Sequence, residues 1–143
     1  MPRSTPHRRL HAAVAIIERR GRILICRRHD HDSFPGHWEF PGGKREPRES
    51  WVACLRREVR EELGVTIRAV TSYDRMRHEF EDGTVSFRVF RCAIAQGTPR
   101  PLDAQALRWV LPRQLRRFKF PPANRALILR LTRPPSQRGR SRT

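Results

Sequence analysis

Residues Gly43 to Val65 read GKREPRESWVACLRREVREELGV, and the rest of the chain is best read outward from this stretch. Ser50 is placed to cap a helix and Gly64 to end one, so the spacing predicts a helix from Ser50 to Leu63. Projected at about 100° per residue, Val52, Leu55, Val59 and Leu63 share an arc of roughly 80°, the expected core stripe. Glu58, Glu61 and Glu62 fall in an adjacent arc of about 100°, and Arg56, Arg57 and Arg60 take much of the remainder. Like charges three or four residues apart on a helix repel by about a few tenths of a kcal/mol. A divalent cation held between them reverses that sign, and Mg²⁺ suits a set of oxygen ligands. The Gly42-Gly43 pair ahead of the helix lets the backbone approach a ligand and frees a carbonyl as a further hard ligand. A solvated helix face with Arg57 and Glu61 as an ordinary ion pair is equally compatible with helix geometry alone.

On the N-terminal side, HAAVAIIE (His11 to Glu18) and ILICRR (Ile23 to Arg28) read as two strands joined at Arg20-Gly21-Arg22. A polar loop follows from His29 to Gly36. Trp38-Glu39-Phe40 is a short extended piece stopped by Pro41. On the C-terminal side, Val65 to Ser72, Tyr73 to Phe80 and Thr84 to Ala95 read as strands, with a hairpin turn at Asp82-Gly83. Leu107 to Leu111 is a last strand and Pro112 to Leu115 a helical turn. Ala123 to Leu131 is a closing helix with Ala126, Leu127 and Leu131 on one side. Strands mixed with two helices predict an α/β (α+β) architecture, a sheet sandwiched between helices.

The length of 143 residues suits one domain. Residues 1–9 and 133–143 are rich in Pro, Arg and Ser and read as basic disordered tails around a domain at 10–132. No apolar run reaches the ~20 residues a membrane helix needs, and the basic start lacks the apolar stretch of a secretory signal. Cys26, Cys54 and Cys92 are widely spaced and odd in number, which fits buried thiols of a cytoplasmic protein and not a zinc site. Lys and Arg total 31 against 14 acids, a net charge of +17; only Lys44 and Lys119 are lysines. Such a field draws polyanions, including nucleotides and, weakly and without specificity, nucleic acid through the tails. An arginine-rich coding bias with a solvated surface explains the same numbers. No basic run is interleaved with aromatics in the manner of a strand-binding platform.

Gly43, Glu49, Arg57, Glu58, Val59, Glu61, Glu62, Gly64 and Val65 fill every defined position of the pattern G-x5-E-x7-R-E-U-x-E-E-x-G-U, where U is a bulky aliphatic. The chain therefore resembles the Nudix hydrolases. The resemblance implies the Nudix fold, with a mixed sheet between helices, and a catalytic Mg²⁺ or Mn²⁺. It implies that Glu58, Glu61, Glu62 and the Gly43 carbonyl hold the metal and that Glu58 is the base that takes a proton from water. Arg57 would orient Glu58, and Glu49 would brace the loop against the helix. The chemistry is water attack on a phosphorus of a nucleoside phosphate.

Three further runs resemble the MutT-type 8-oxo-dGTP pyrophosphohydrolases: ICRR (Ile25 to Arg28), WEFPGGK (Trp38 to Lys44) and FPPAN (Phe120 to Asn124). That resemblance implies a nucleoside triphosphate substrate, with Arg28, Glu39, Phe40 and Asn124 in contact with it. Asn124 would donate to O6 of 8-oxoguanine and accept from the N7–H that guanine lacks, a difference a buried site reads strongly. Asp103 stands at about the place of a late loop acid that contributes to metal binding. A monomer is expected. On residue type alone, Asn124 suits a helix N-cap, Arg28 a surface charge, and Trp38 and Phe40 the core. ERRGRIL (Glu18 to Leu24) and QALRW (Gln105 to Trp109) resemble relatives acting on cytosine nucleotides, which is the alternative substrate class. A non-catalytic nucleotide-binding module is the reading from another class, and the complete set of glutamates speaks against it.

Overall fold

The computed structural model describes residues 6–133. The chain order is β1 (Arg8–Arg19), β2 (Arg22–Arg27), β3 (Trp38–Glu39), β4 (Gly42–Lys44), α1 (Trp51–Leu63), β5 (Thr66–Phe80), β6 (Gly83–Gln96), β7 (Ala106–Val110) and α2 (Arg125–Leu131), with 3-10 turns at Pro112–Arg117 and Pro122–Asn124. The sheet runs β3-β2-β1-β6-β5, with β4 added to β1 and β7 to β2. β1 and β6 are parallel, and the other pairs are antiparallel. The sheet is therefore mixed, as expected.

Ala12 to Ile17 is buried without interruption, because β1 is covered on both faces. Ala13, Ala15 and Ile17 pack with Cys54, Leu55, Val59 and Leu63 of α1. Val14 and Ile16 face the other way and pack with Leu115, Leu127 and Leu131. Each helical layer thus seals one side of the same strand, and the sandwich follows from one apolar run. The three cysteines are free and buried. Burial pushes the Cys54 thiol up to about 11 and the Cys92 thiol up to about 12, so these are packing groups.

Several expectations are corrected. Val52 is 37% exposed, and Cys54 takes its place in the buried stripe, since Trp51, Cys54 and Leu55 are the residues of this part of α1 that pack against the core. Thr66–Phe80 is one strand with β-bulges, with register shifts between Arg68 and Thr71 and between Ser72 and Asp74; the break read at Ser72-Tyr73 is a bulge. The β5–β6 turn is Glu81-Asp82, and Gly83 already belongs to β6. Gly83 is needed for close approach, since a Cβ there would meet the Arg8 carbonyl oxygen at 2.1 Å. Arg8 and Arg9, assigned to the tail, belong to β1: they pair with Gly83 and Thr84, and the Arg8 amide donates to the Asp82 carbonyl at 2.8 Å. Residues 1–5 and 134–143 of the expected tails lie outside the described residues. The closing helix starts at Arg125, and Ala126 is exposed while Leu127 and Leu131 are buried. Among the described residues no helix is long and apolar enough to cross a membrane.

The burial pattern of α1 gives a direct test. Leu55→Ala should lower unfolding free energy by about 2–5 kcal/mol, the usual cost of a core truncation. Val52→Ala should cost less than about 1 kcal/mol. Urea denaturation of both variants checks this, and equal losses would put Val52 back in the core.

Candidate active site

Strand β4 carries Gly43 against the surface of α1. Ser50 caps the helix by accepting from the Ala53 amide at 3.0 Å, and Gly64 ends it in a left-handed conformation at φ 73°. The helix therefore keeps the expected bounds, and its glutamates meet the loop in a fixed register. A Cβ on Gly43 would fall 2.3–2.7 Å from the carboxyl group of Glu58. Only glycine leaves room for that carboxylate to lie flat against the loop.

Arg57 organises the surroundings. Its Nε and Nη2 donate to the two carboxylate oxygens of Glu49 at 2.6 and 3.0 Å. Its Nη1 donates to Glu58 at 2.8 Å and to Glu61 at 3.3 Å, and Nη2 also donates to the Lys44 carbonyl at 3.1 Å. The Glu46 amide donates to Glu49 at 3.0 Å. Arg57 and that amide hold the Glu49 carboxyl down at about 2. The Arg57 guanidinium is shifted up by the same hydrogen bonds to Glu49 and Glu58.

Glu62 accepts from the Gly42 amide at 3.0 Å. Burial raises its carboxyl to about 8, with the Glu58 charge adding to the effect. Burial also raises Glu58, opposed by the hydrogen bond from Arg57. Among the described residues no three Asp, Glu, His or Cys side chains converge as a ready coordination shell. Glu58 and Glu61 lean on Arg57, and Glu62 leans on the Gly42 amide. The donor chemistry still fits a hard divalent cation. Glu58, Glu61 and Glu62 on one helix and the Gly43 carbonyl beside them are all oxygen donors. Two of these carboxyls are held above their usual range by burial, a cost that a nearby cation removes. The Gly43 carbonyl accepts the Cys54 thiol at 3.6 Å, which leaves it a second lone pair.

Next to this helix is a cleft of about 260 Å³ bounded by Arg28, Ser33, Phe34, Glu39, Phe40, Gly42, Gly43, Phe87, Pro121 and Asn124. It brings together all four residues expected to contact substrate. Arg28 pairs with Glu39 at 2.5 Å and donates to the Ser33 carbonyl at 2.7 Å and the Ser33 hydroxyl at 3.0 Å, so it is a fixed wall and not a free surface charge. Burial is the largest influence on the Glu39 carboxyl and raises it against the pull of Arg28. Phe40 is 6% exposed and stacks on Phe120 at 5.2 Å; it is both core and cleft wall. Trp38 packs edge-on against Phe118 at 5.4 Å and does not line the cleft.

Asn124 does not cap α2. Its backbone is already helical at φ −91° and ψ −5°, because the 3-10 turn runs straight into the helix, and its side chain makes no capping bond. Asn124 lines the cleft. Asp103 is apart from the glutamates: it is 72% exposed and lies 3.6 Å from the His29 ring nitrogen, although its charge still raises Glu62 and Glu39. The sequence reading missed Ser33 and Phe34, which sit in a loop taken as merely polar. The signal available was Phe34 itself, a large aromatic next to Pro35-Gly36 and 45% exposed.

The NUDIX domain model matches residues 12–130. An Escherichia coli protein named CTP pyrophosphohydrolase is 33% identical over 130 residues, covering 87% of this chain and 96% of the relative. A Haemophilus influenzae protein named 8-oxo-dGTP diphosphatase is 33% identical over 120 residues, covering 84% and 88%. A solved structure from work on the MutT proteins of Aliivibrio salmonicida and Vibrio cholerae superposes with a TM-score of 0.75 at 31% identity, covering 87% of this chain and 98% of that one.

The depressed Glu49 carboxyl predicts a pH dependence. Its pairing with Arg57 contributes stability above the ordinary carboxylate range, near 4.5, and loses it as pH falls toward about 2. Wild type should exceed Glu49→Gln in urea midpoint at pH 7, and the gap should shrink steadily between pH 4.5 and the lowest pH that permits folding. A gap independent of pH would remove this pair from the acid response.

Proposed function

The chain belongs to the NUDIX domain family, and from that premise we propose that it is a divalent-metal-dependent pyrophosphohydrolase of nucleoside triphosphates whose preferred substrate is 8-oxo-dGTP, cleaved to 8-oxo-dGMP and pyrophosphate. The observation that carries the substrate assignment is the Asn124 amide, uncommitted to any cap and lining the same cleft as Arg28 and Phe40. An amide offers one acceptor and two donors, which matches the O6 and N7–H edge of the oxidised purine. Guanine presents a bare acceptor at N7, so one partner goes unpaired, and a buried polar site discriminates against that loss.

On this reading the chain's residues divide the work. Arg28, pinned by Glu39 and Ser33, offers a charged wall to the sugar and phosphates. Phe40 and Phe34 bound the base side. Glu58 takes the proton of the attacking water, and its burial moves the carboxyl toward neutrality and makes it a better base. Arg57 holds Glu58 in position, and Glu49 holds Arg57. Glu58, Glu61, Glu62 and the Gly43 carbonyl would hold Mg²⁺, or Mn²⁺ in its place, with Asp103 as a further acid if its loop swings inward. A bound divalent cation would acidify water and screen the phosphate and leaving pyrophosphate oxygens. The bond formed is water oxygen to phosphorus, the bond broken is the phosphoanhydride, and pyrophosphate leaves.

A second reading, hydrolysis of cytosine nucleotides, is favoured by the relative named CTP pyrophosphohydrolase and by the QALRW run on β7. Pyrophosphate release with Mg²⁺ on 8-oxo-dGTP, dGTP, dCTP, 5-methyl-dCTP and ADP-ribose separates the two. The expected order places 8-oxo-dGTP first in kcat/KM; a cytosine nucleotide in first place would overturn the substrate and keep the chemistry. Glu58→Gln should reduce kcat by at least about 10²-fold with the fold intact, and retention of more than a tenth of the rate would exclude Glu58 as the base. Asn124→Ala should lower kcat/KM for 8-oxo-dGTP about tenfold or more and that for dGTP much less. Equal losses on both would end its role as the base reader.

A further inference from the structure

On the α1 side of the sheet a groove of about 510 Å³ is lined by Arg45, Trp51, Arg75, Arg77, Arg88 and His11, among others, and shares Phe87 with the cleft. The arginines come from three places: the β4–α1 connection (Arg45), β5 (Arg75 and Arg77) and β6 (Arg88). The sheet register sets them together. Arg88 sits beside Ala13 and Arg75, and Ser86 sits beside His11 and Arg77, so alternation along each strand puts all of them on one face. Trp51, the first residue of α1, forms the aromatic floor. Arg45 and Arg88 lie 5.0 and 5.2 Å from its ring centre, and His11 meets its edge at 5.8 Å.

No carboxylate lines this groove. Arg57, Arg28, Arg91 and Arg130 are paired with carboxylates, and most other described arginines, like those of the groove, are not. Among the described residues the guanidinium groups of Arg75, Arg77 and Arg88 have no ion pair. Arg45 is held through Nη1 by the Glu49 carbonyl at 2.9 Å, and its Nε is a buried donor without a partner. A groove that gathers four arginines, with no acid among its described lining residues, costs self-repulsion unless an anion occupies it.

We propose that this groove binds the sugar-phosphate backbone of single-stranded nucleic acid, at a site separate from the catalytic cleft. An extended polyanion fits better than one phosphate group. The cations are spread along an open groove, and no turn of consecutive backbone amides gathers them around one point. The Ala53 amide at the adjacent helix start is already taken by Ser50. Arginine beside a partly exposed aromatic ring is the chemistry that tracks a strand without reading its sequence. This inference is independent of the substrate proposed for the cleft.

The test uses the full chain and fluorescence anisotropy with labelled dT12 and rU12. Arg75→Gln with Arg77→Gln should weaken binding about tenfold or more at 0.1 M salt and flatten the slope of log affinity against log salt by about 1.4, the loss of two phosphate contacts on a single strand. Arg113→Gln with Arg117→Gln, an equal charge change on the opposite layer, should weaken binding less than about twofold. Both variants should turn over nucleotide at the wild-type rate. Comparison of dT12 with rU12 reports whether DNA or RNA is preferred. Equal losses in the two variants would reduce the effect to net charge and overturn the site. So would failure of the wild type to bind either strand, tighter binding of a duplex, or competitive inhibition of nucleotide hydrolysis by dT12.

Discussion

Arg57 and Glu49 exchange two hydrogen bonds in a fork, and the same guanidinium reaches Glu58, Glu61 and the Lys44 carbonyl. That one side chain ties the loop after β4 to the middle of α1. Besides it, the Gly42 amide bond to Glu62 and the Cys54 thiol on the Gly43 carbonyl tie β4 to the helix. With it, the Gly43 backbone and the Glu58 carboxylate are held in contact, and no lysine could substitute, since a lysine ammonium cannot form the fork. The shift of the Glu49 carboxyl to about 2 records how firmly the pair is made. Arg57 thus sets the placement of Glu58 and Glu61, while Gly43 on the neighbouring strand lines the cleft.

The second constraint is β1. A strand buried on both faces admits only small or aliphatic residues from Ala12 to Ile17, and it fixes what each face carries. The even side meets the layer of α2, where Asn124 and Phe120 approach Phe40. The odd side meets α1 and, beyond the helix start, gives way to the groove around Trp51. Asn124 and Phe120 thus approach the cleft from one face of the sheet, while the Trp51 groove lies on the other face, the one that also carries α1 and its glutamates.

Much of this was legible in the sequence. The helix between Ser50 and Gly64, its acidic arc and the apolar strands are set by local spacing and capping, whereas the residues that meet at the cleft are expected from the resemblance of ICRR, WEFPGGK and FPPAN to a known family. What could not be read depends on where elements end relative to one another. Val52 shares the apolar arc with Leu55 on a helical wheel, yet Trp51 and Cys54 are the neighbours that meet the core in its place. Asn124 has the chemistry of a cap, and the preceding 3-10 turn decides otherwise. The bulges in β5 look like a strand break because both interrupt alternation. Phe34 sits in a polar loop whose path over the cleft is set by β2 and β3. The arginines around Trp51 are up to 43 residues apart in sequence, so no run of residues announces them.

The charge distribution places a condition on the proposed function. The chain carries +17 overall, which favours encounter with a polyphosphate. The cleft itself is locally acidic: Glu39, Glu58 and Glu62 raise one another or are raised by burial. A triphosphate entering alone would add like charge to a partly desolvated acidic group, which is unfavourable at short range. Arg28 offsets little of this, because its charge is already engaged by Glu39. Protonation of the glutamates would relieve the repulsion but would remove the base. A divalent cation relieves it while leaving Glu58 ionised, so substrate affinity and metal affinity should be linked, each tightening the other by the same factor. The long-range positive field and the short-range acidic site thus act at different stages, the first on approach and the second only in company with the cation.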